Sequence, residues 1–240
     1  MHSPEPRFSR IAAVIADPTR ARMLAALLGG EYRSAGELAS TAGITPQAAS
    51  TQLAQLVDNG LIAMRQQGRH KYFSLADGDI ARALEALSMV AERDNVSARW
   101  DKPNYKPLKC ARRCYGHMAG ELGVAQFDML IRCGYLQPSA ADAASNETGL
   151  QLSNAGSMWL GKLGLTLAPR IGNRLAYPCM DWSERRDHLA GTLSKALLDH
   201  YLAQHWLTKH SDSRALTLTA QGQRMLIPLL QAENLTTLHT

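Results

Sequence analysis

Three of the four cysteines and two of the eight histidines lie in two short stretches, CARRCYGHMAG at 110–120 and CMDWSERRDHLAG at 179–191. Residues three and four apart share one face of a helix, so the first stretch would present two thiols and an imidazole together. Thiolates and imidazoles bind soft and borderline metal ions, and a thiolate beside arginine is also the reactive form in redox switches. The candidate sensing residues are Cys110, Cys114, His117, Cys179 and His188.

Three interpretations of these residues stay open. They could bind a metal or metalloid ion, they could form a redox or electrophile switch, or the cysteines could be inert. In the last case they would lie beside a small-molecule pocket lined by Tyr115, Asp181 and Trp182, or in a protein that senses nothing. Cys133, inside MLIRCGYL, is predicted to be an ordinary core residue.

Catalysis is a fourth possibility that the sequence does not favour. Cys114 and His117 could form a thiolate–imidazolium pair, but no third group that would orient the imidazole is evident. The chain also has no phosphate loop, dinucleotide fingerprint or His-Glu-x-x-His motif. We therefore expect a protein that is not an enzyme.

Length and composition allow two domains. The chain has 240 residues, of which 45% are apolar, and its four cysteines are too few for a disulfide scaffold. The first residues lack the apolar run of a signal peptide, and no window approaches the roughly 18 apolar residues of a membrane span. We expect a cytoplasmic protein without a membrane partner. The net charge of +5 suits a polyanionic partner without establishing one.

Helix and turn signals follow one another through residues 1–92. A helical stretch is interrupted at Asp17-Pro18, a short helix begins at Ser34 and ends at Gly43, and the next helix begins at Thr45. LIAMRQQ and HKYFSL then alternate apolar and polar residues around a Gly-Arg turn, and a further helix follows. This order predicts a winged helix-turn-helix.

The same stretches resemble the ArsR/SmtB family of bacterial repressors. The segments that carry the resemblance are DPTRARMLAAL, ELASTAGITPQAASTQLAQLVDNGLI and RQQGRHKYFSL. The recognition helix of that family usually contains Ser-x-His-Leu, where this chain has Ser50-Thr-Gln-Leu53. The metal sites usual in the family are missing, because Glu37–Thr41 contains no thiol and the last helix contains no histidine. The two cysteine-containing stretches resemble a branch of the family with a C-terminal extension. This chain has Gly116 where that branch tends to have Asp.

The expected DNA contacts lie on the second short helix and on the hairpin after it. Hydroxyls and amides at the start of that helix would contact base edges and phosphates, and the basic hairpin tip would contact the backbone. The candidates are Thr45, Pro46, Gln47, Ser50, Thr51, Gln52, Arg65, Arg69, His70 and Lys71. Such modules act as dimers on an inverted-repeat operator, and the apolar stripes at 8–16 and 80–90 are the predicted dimer surface.

Residues 108–240 contain an internal repeat, after a polar linker predicted at 93–107. HMAGELGVAQFDMLIRCGYL (117–136) aligns without gaps to HLAGTLSKALLDHYLAQHWL (188–207), and similarity continues to about 160 and 226. Two helix-hairpin-helix repeats are predicted to form a pseudo-twofold α/β domain. The alignment pairs Cys114 with Arg185, which would leave the cysteines outside the duplicated scaffold. If the halves pack about a twofold axis, Cys114 and Cys179 could nevertheless converge near that axis, with His117 and His188 close by.

The predicted fold class is mainly α with small β. The predicted function is an ArsR-type regulator, a homodimeric repressor released from double-stranded DNA by a signal received in the C-terminal domain. That signal would be a thiol-reactive species, a metal or metalloid ion, or a small metabolite. The alternatives are an architectural DNA-binding protein without an effector, or a Cys/His thiol enzyme fused to a winged helix.

Overall fold

The computed structural model of the chain describes residues 8–91, 105–139, 149–167, 174–210 and 213–232. It divides into two compact units, with the boundary between Ala83 and Leu84. Most of the linker predicted at 93–107 lies outside the described residues. Within the described ranges, no helix is long and apolar enough to span a membrane.

The first unit is a winged helix-turn-helix, as predicted. Its elements are α1 (Phe8–Ile15), α2 (Pro18–Leu27), β1 (Arg33–Ser34), α3 (Ala35–Ala42), α4 (Pro46–Asp58), β2 (Ile62–Gln67), β3 (His70–Leu75) and the start of α5 (Gly78–Ala91). The three strands form an antiparallel sheet in the order β1-β3-β2. The mixed α and β content of the fold class is therefore confirmed.

The helix ends of the first unit follow from local signals in the sequence. Ser34 and Glu37 form a capping box at the start of α3, each side chain bonding to the backbone of the other. Gly43 ends α3 in a left-handed conformation, with φ of 69°. Thr45 then accepts a hydrogen bond from the backbone of Ala48 and caps α4. These caps are as predicted and set the turn between α3 and α4.

The hairpin of the first unit turns in two residues. Gln67 pairs with His70 across the turn, and Gly68 takes a positive φ of 58°. Glycine at the first central position is what a type II′ turn requires, and that turn matches the twist of the strands. The tip therefore forms where the Gly-Arg pair predicts it.

The second unit repeats one order of elements. After the short helix α6 (Lys106–Cys110), each half has hairpin, helix, hairpin and helix. The first half is β4 (Arg112–Cys114), β5 (His117–Ala119), α7 (Glu121–Arg132), β6 (Leu136–Pro138), β7 (Leu150–Leu152) and α8 (Asn154–Lys162). The second is β8 (Tyr177–Met180), β9 (Asp187–Ala190), α9 (Thr192–Ala203), β10 (Leu207–Lys209), β11 (Leu216–Leu218) and α10 (Ala220–Gln231).

The hairpin that opens each half is absent from the predicted helix-hairpin-helix repeat. Cys114 and His117 lie opposite each other on β4 and β5, so the single helical face predicted for Cys110, Cys114 and His117 is wrong. Tyr115 and Gly116 have positive φ of 47° and 88°, which is the pattern of a type I′ turn. Because each strand has only three residues, the sequence shows no clear alternation.

The glycines matched by the repeat allow close packing at the start of a helix. Gly120 precedes α7 and Gly191 precedes α9, with φ of 83° and 101°. A Cβ atom would lie 2.5 Å from the carbonyl oxygen of Lys109 in the first case and of Leu175 in the second. Only glycine fits both the backbone and the space. The two glycines of the shared motif H-x-A-G are therefore architectural.

The core of the second unit contains buried residues from both halves. Met129 and Leu130 of α7 and Leu193 and Leu197 of α9 have no solvent-exposed surface and belong to one apolar cluster. Cys133 is also buried in this cluster, which confirms it as a core residue. The apolar sides of the two halves thus supply one core.

Candidate DNA interface and buried cysteine–histidine cluster

Helix α4 buries one face, and the N-terminal part of its opposite face is exposed. Ala49, Leu53 and Leu56 are buried at helical spacing. The predicted contact residues left exposed on the N-terminal part of α4 and at its cap are Thr45, Pro46, Gln47, Ser50 and Thr51. Five of the six predicted contact positions on this helix are therefore open to solvent.

Gln52 differs from these five residues because another side chain holds it. It is half-buried, and Nη1 of Arg20 donates to its Oε1 at 2.8 Å and to Oε1 of Gln55 at 2.5 Å. The sequence gives no signal for this contact, because Arg20 belongs to α2. Arg20 of α2 therefore holds the side-chain amide of Gln52. The predicted contact of Gln52 with DNA stays a prediction.

The hairpin carries positive charge without acidic neighbours in the sequence. Arg65, Arg69, His70 and Lys71 are all exposed on β2, β3 and the turn. Residues 59–76 contain no Asp or Glu. A protruding cationic hairpin beside an exposed polar helix end can contact phosphates and base edges of one duplex.

In the second unit, each half contributes one cysteine and one histidine at the same place in its first hairpin. Cys114 pairs with His117 across β4 and β5, and Cys179 pairs with His188 across β8 and β9. The ungapped pairing of Cys114 with Arg185 is therefore wrong. The second hairpin has a longer turn, so the true match requires a gap just before the two histidines.

These four residues form a compact buried group, here called the Cys2His2 cluster. One sulfur or ring nitrogen from each lies within 4.8 Å of all the others, and the group could hold a metal ion. The Nε2 atoms of His117 and His188 are 3.0 Å apart. No member exposes more than 7% of its surface. Cys110 lies at the end of α6, half-buried, and does not belong to the cluster.

Asp181 lies behind the Cys2His2 cluster and orients His188. Its Oδ2 is 3.2 Å from Nδ1 of His188 and accepts from the backbone N–H of Gly120 at 2.7 Å. Its Oδ1 accepts from Nη2 of Arg112 and from Oγ of Ser183, both at 2.7 Å. Asp181 and Arg112 are fully buried. Both carboxylate oxygens are thus engaged by the protein.

Burial opposes ionisation of Asp181, but its neighbours outweigh burial. The neighbouring His188 and the charge of Arg112 hold the pKa of Asp181 well below its usual range. Burial lowers the pKa of His188, whereas Asp181 and Cys114 raise it, and the result is a pKa of about 9. The carboxylate therefore stays charged and favours a proton on the imidazole.

The thiol of Cys114 is not activated by the arginines beside it in the sequence. Contact with Cys179 and burial raise the pKa of Cys114 to about 12. The Arg112 side chain is directed to Asp181, and Nη2 of Arg113 donates to the carbonyl oxygen of Ser213. In the metal-free protein Cys114 is a protonated thiol. The interpretation that adjacent cations favour its thiolate is wrong.

The residues predicted to line a pocket surround the same carboxylate. Trp182 is buried, and the guanidinium carbon of Arg112 lies 4.6 Å from the centre of its ring. Tyr115 is half-buried in the β4–β5 turn. Arg112 and Ser183, which hold Asp181, were not among the candidates, and their distance from each other in the sequence offers no signal. A ligand pocket at Tyr115, Asp181 and Trp182 stays a prediction.

Comparison with known proteins identifies relatives of both the first unit and the whole chain. A family model described as "Helix-turn-helix domain" matches residues 15–65. "Uncharacterized HTH-type transcriptional regulator YdfF" of Bacillus subtilis is 34% identical over 220 residues, which cover 91% of this chain and 94% of YdfF. "HTH-type transcriptional regulator CmtR" of Mycobacterium tuberculosis is 40% identical over 86 residues, covering 36% of this chain and 72% of CmtR.

Other relatives also match only part of the chain. The "Probable mercury resistance operon repressor" of Streptomyces lividans is 34% identical over 90 residues, covering 38% of this chain and 70% of the repressor. Among solved structures, the homodimeric winged helix-turn-helix domain Mb0332 of Mycobacterium bovis is 27% identical with a TM-score of 0.34. It covers 39% of this chain and 93% of that domain. All of these relatives are described as transcriptional regulators or repressors.

Proposed function

The chain belongs to the ArsR family of helix-turn-helix transcriptional regulators, and from this premise we propose that it is a homodimeric repressor. It binds an inverted-repeat operator through α4 and the β2–β3 hairpin. A signal received in the second unit lowers its affinity for that operator. Regulation of transcription through DNA binding is common to the family. Dimerisation of this chain, repression and release from the operator are what we propose.

The observation that carries the DNA contacts is the exposure of two neighbouring elements. The start of α4 exposes hydroxyl and amide groups, which can bond to base edges. The β2–β3 hairpin exposes cations, whose phosphate contacts raise affinity at every sequence and weaken with salt. Sequence choice is therefore assigned to α4, and most of the salt-dependent affinity to the hairpin.

Two variants of α4 and one of the hairpin test this assignment. The probes are an operator selected from random-sequence DNA by the full-length protein, and a scrambled duplex of the same length. Gln47→Ala and Ser50→Ala should relax discrimination between the two probes. Arg69→Ala should weaken both and reduce the salt slope by about 1. Lys162→Ala, an exposed cation of α8, is the matched control. Unchanged binding by all three variants would refute the DNA interface.

Apolar surface on α1 and α5 supports a dimer. Helix α1 has the sequence FSRIAAVI, yet none of its residues is buried, and Phe8 is 77% exposed. Leu87 and Val90 on α5 are 51% and 52% exposed. A second copy of the chain would remove this surface from water. These stretches are the ones predicted as the dimer surface.

Sedimentation equilibrium tests the dimer. Leu87→Lys places a charge in the proposed interface and should raise the dimer dissociation constant by about tenfold or more. Met158→Lys, at an exposed methionine of α8, should leave the constant unchanged. A wild-type chain that remains monomeric at micromolar concentration would contradict the homodimer.

The location of the cysteines supports reception of the signal in the second unit. All four cysteines follow Leu84, so thiol chemistry is confined to that part of the chain. A coupling of about 1–3 kcal/mol between the two sites would release the operator by about 5–150-fold. Cys114→Ser should abolish the response to a thiol-reactive or metal effector and leave operator binding intact. A variant that still responds fully would exclude the thiol as receiver.

A further inference from the structure

We propose that Cys114, His117, Cys179 and His188 form a closed tetrahedral site for one zinc-class divalent cation, which joins the two halves of the second unit. The site shares Cys114 with the proposed receiver of the signal, but its occupation by a metal ion does not depend on DNA binding or on release from the operator. It also differs in position from the two metal sites usual in the family, which would lie at Glu37–Thr41 and on α5.

The distances in the cluster suit a tetrahedral ion. Zinc binds sulfur at about 2.3 Å and imidazole nitrogen at about 2.0–2.1 Å, so its ligand atoms lie about 3.3–3.8 Å apart. The four ligand atoms here are all within 4.8 Å of one another, and the two Nε2 atoms are 3.0 Å apart. Small side-chain adjustments would therefore bring all four atoms to bonding distance.

The two histidines face each other so that both Nε2 atoms can bind one cation. Nδ1 of His188 lies beside the carboxylate of Asp181, which stabilises a proton on that nitrogen. In the metal-free protein a proton between Nε2 of His188 and Nε2 of His117 accounts for their separation of 3.0 Å. A metal ion between the two rings would take the place of that proton. A metal ion serves both nitrogens and both sulfurs at once.

The surroundings match a site with four protein ligands and no open position. All four residues are buried, which is typical of structural zinc sites and not of catalytic ones. Asp181 supports His188 from behind and is itself held by Arg112. Such carboxylate–histidine–metal arrangements fix the orientation of the ring and make the nitrogen a stronger ligand.

Charge and protons balance when the ion binds. The two thiols of Cys114 and Cys179 each lose a proton, the proton between the two histidine Nε2 atoms is also released, and the two thiolates offset the two charges of the cation. The loaded cluster is therefore neutral, which avoids an uncompensated charge in a buried place. Two sulfur and two imidazole ligands favour zinc and its analogues over magnesium or calcium, which prefer oxygen.

The ion would link hairpins that are far apart in the sequence. One cysteine and one histidine come from β4 and β5, and the other two come from β8 and β9. A bond between these hairpins constrains a long loop, and its binding free energy adds to the stability of the folded second unit. Unfolding of this unit should therefore depend on the metal.

Metal binding by the full-length chain tests the site directly. Native mass spectrometry of reduced protein with added Zn²⁺ should show one ion retained per chain. Co²⁺ in place of Zn²⁺ should give the intense visible absorption of a tetrahedral ion together with thiolate-to-metal charge transfer. Cys114→Ser and Cys179→Ser should each weaken the charge-transfer band, whereas Cys110→Ser and Cys133→Ser are matched controls that should keep it.

A second measurement keeps the result clear if a ligand variant folds poorly. Asp181→Asn retains the shape of the side chain and should weaken Zn²⁺ binding by about 10–100-fold in competition with a chromophoric chelator. Three outcomes would overturn the site: no retained ion in the wild-type chain, a six-coordinate Co²⁺ spectrum, or equal spectra for Cys114→Ser and Cys110→Ser. Operator binding in the same preparations distinguishes failure of the metal site from failure of the repressor proposal.

Discussion

The two units place their candidate functional residues in opposite surroundings. In the first unit these residues are mostly exposed, and they all fall within residues 45–71. In the second unit the Cys2His2 cluster is buried and is assembled from two hairpins separated by some sixty residues of chain. A site that binds a duplex must face solvent, whereas a site for a small ion can be enclosed. The first kind can be encoded by one local segment; the second depends on how distant segments pack.

The largest expected effect comes from the buried ion pair behind the cluster. Asp181→Ala leaves the guanidinium of Arg112 buried without its carboxylate and should lower the free energy of unfolding of the second unit by about 3–5 kcal/mol. Urea unfolding followed by tryptophan fluorescence measures this unit alone, because all four tryptophans follow Leu84. A chelator in every sample removes any contribution of metal.

An exposed ion pair of the same unit gives the matched control. Asp128 and Arg186 are joined at 2.6 Å, with 36% and 62% of their side chains exposed. Asp128→Ala should therefore cost less than about 1 kcal/mol. Equal losses of unfolding free energy in Asp181→Ala and Asp128→Ala would show that burial does not make the Asp181–Arg112 pair more important to stability than the exposed pair.

A smaller effect is expected where the repeat demands glycine. Gly191→Ala introduces a Cβ 2.5 Å from the carbonyl oxygen of Leu175 at a φ of 101°, and should destabilise the second unit by about 1–3 kcal/mol. Gly161→Ala adds the same atom in α8, where nothing lies within 4 Å, and should stabilise by up to about 1 kcal/mol. The same urea titration checks both. If Gly191→Ala and Gly161→Ala changed the free energy of unfolding in the same direction, the packing described for Gly191 would be contradicted.

The smallest effect concerns a local signal of the first unit. Ser34→Ala removes the capping box of α3 and should cost about 1 kcal/mol. Hydrogen exchange of the α3 amides should detect the loss, while tryptophan fluorescence stays unchanged. Ser40→Ala, at an exposed position within α3, should have little effect. Slower exchange in Ser34→Ala than in wild type would mean that the cap does not stabilise α3.

The accuracy of the sequence-based predictions differs between the units for the same reason. Caps, turns and apolar spacing act within a few residues, so the start and end of α3 and the tip of the β2–β3 hairpin were predictable. The hairpin at Cys114 and His117 was missed, because its strands are too short for a pattern and its turn is a Tyr-Gly pair. The longer turn of the second hairpin then hid the match between the two cysteines.

By itself, the sequence determined the winged helix-turn-helix, the duplication and the types of residue that could bind metal. These features depend on local backbone preferences and on repeated spacing, both of which can be recognised in the linear sequence. Twofold packing of the halves was expected to bring Cys114, Cys179, His117 and His188 together, and the tertiary structure decided that they meet. It removed Cys110 from the group, paired Cys114 with Cys179, and placed Asp181 between Arg112 and His188. Those contacts exist because two packed halves bring distant hairpins together, and no short segment encodes that distance.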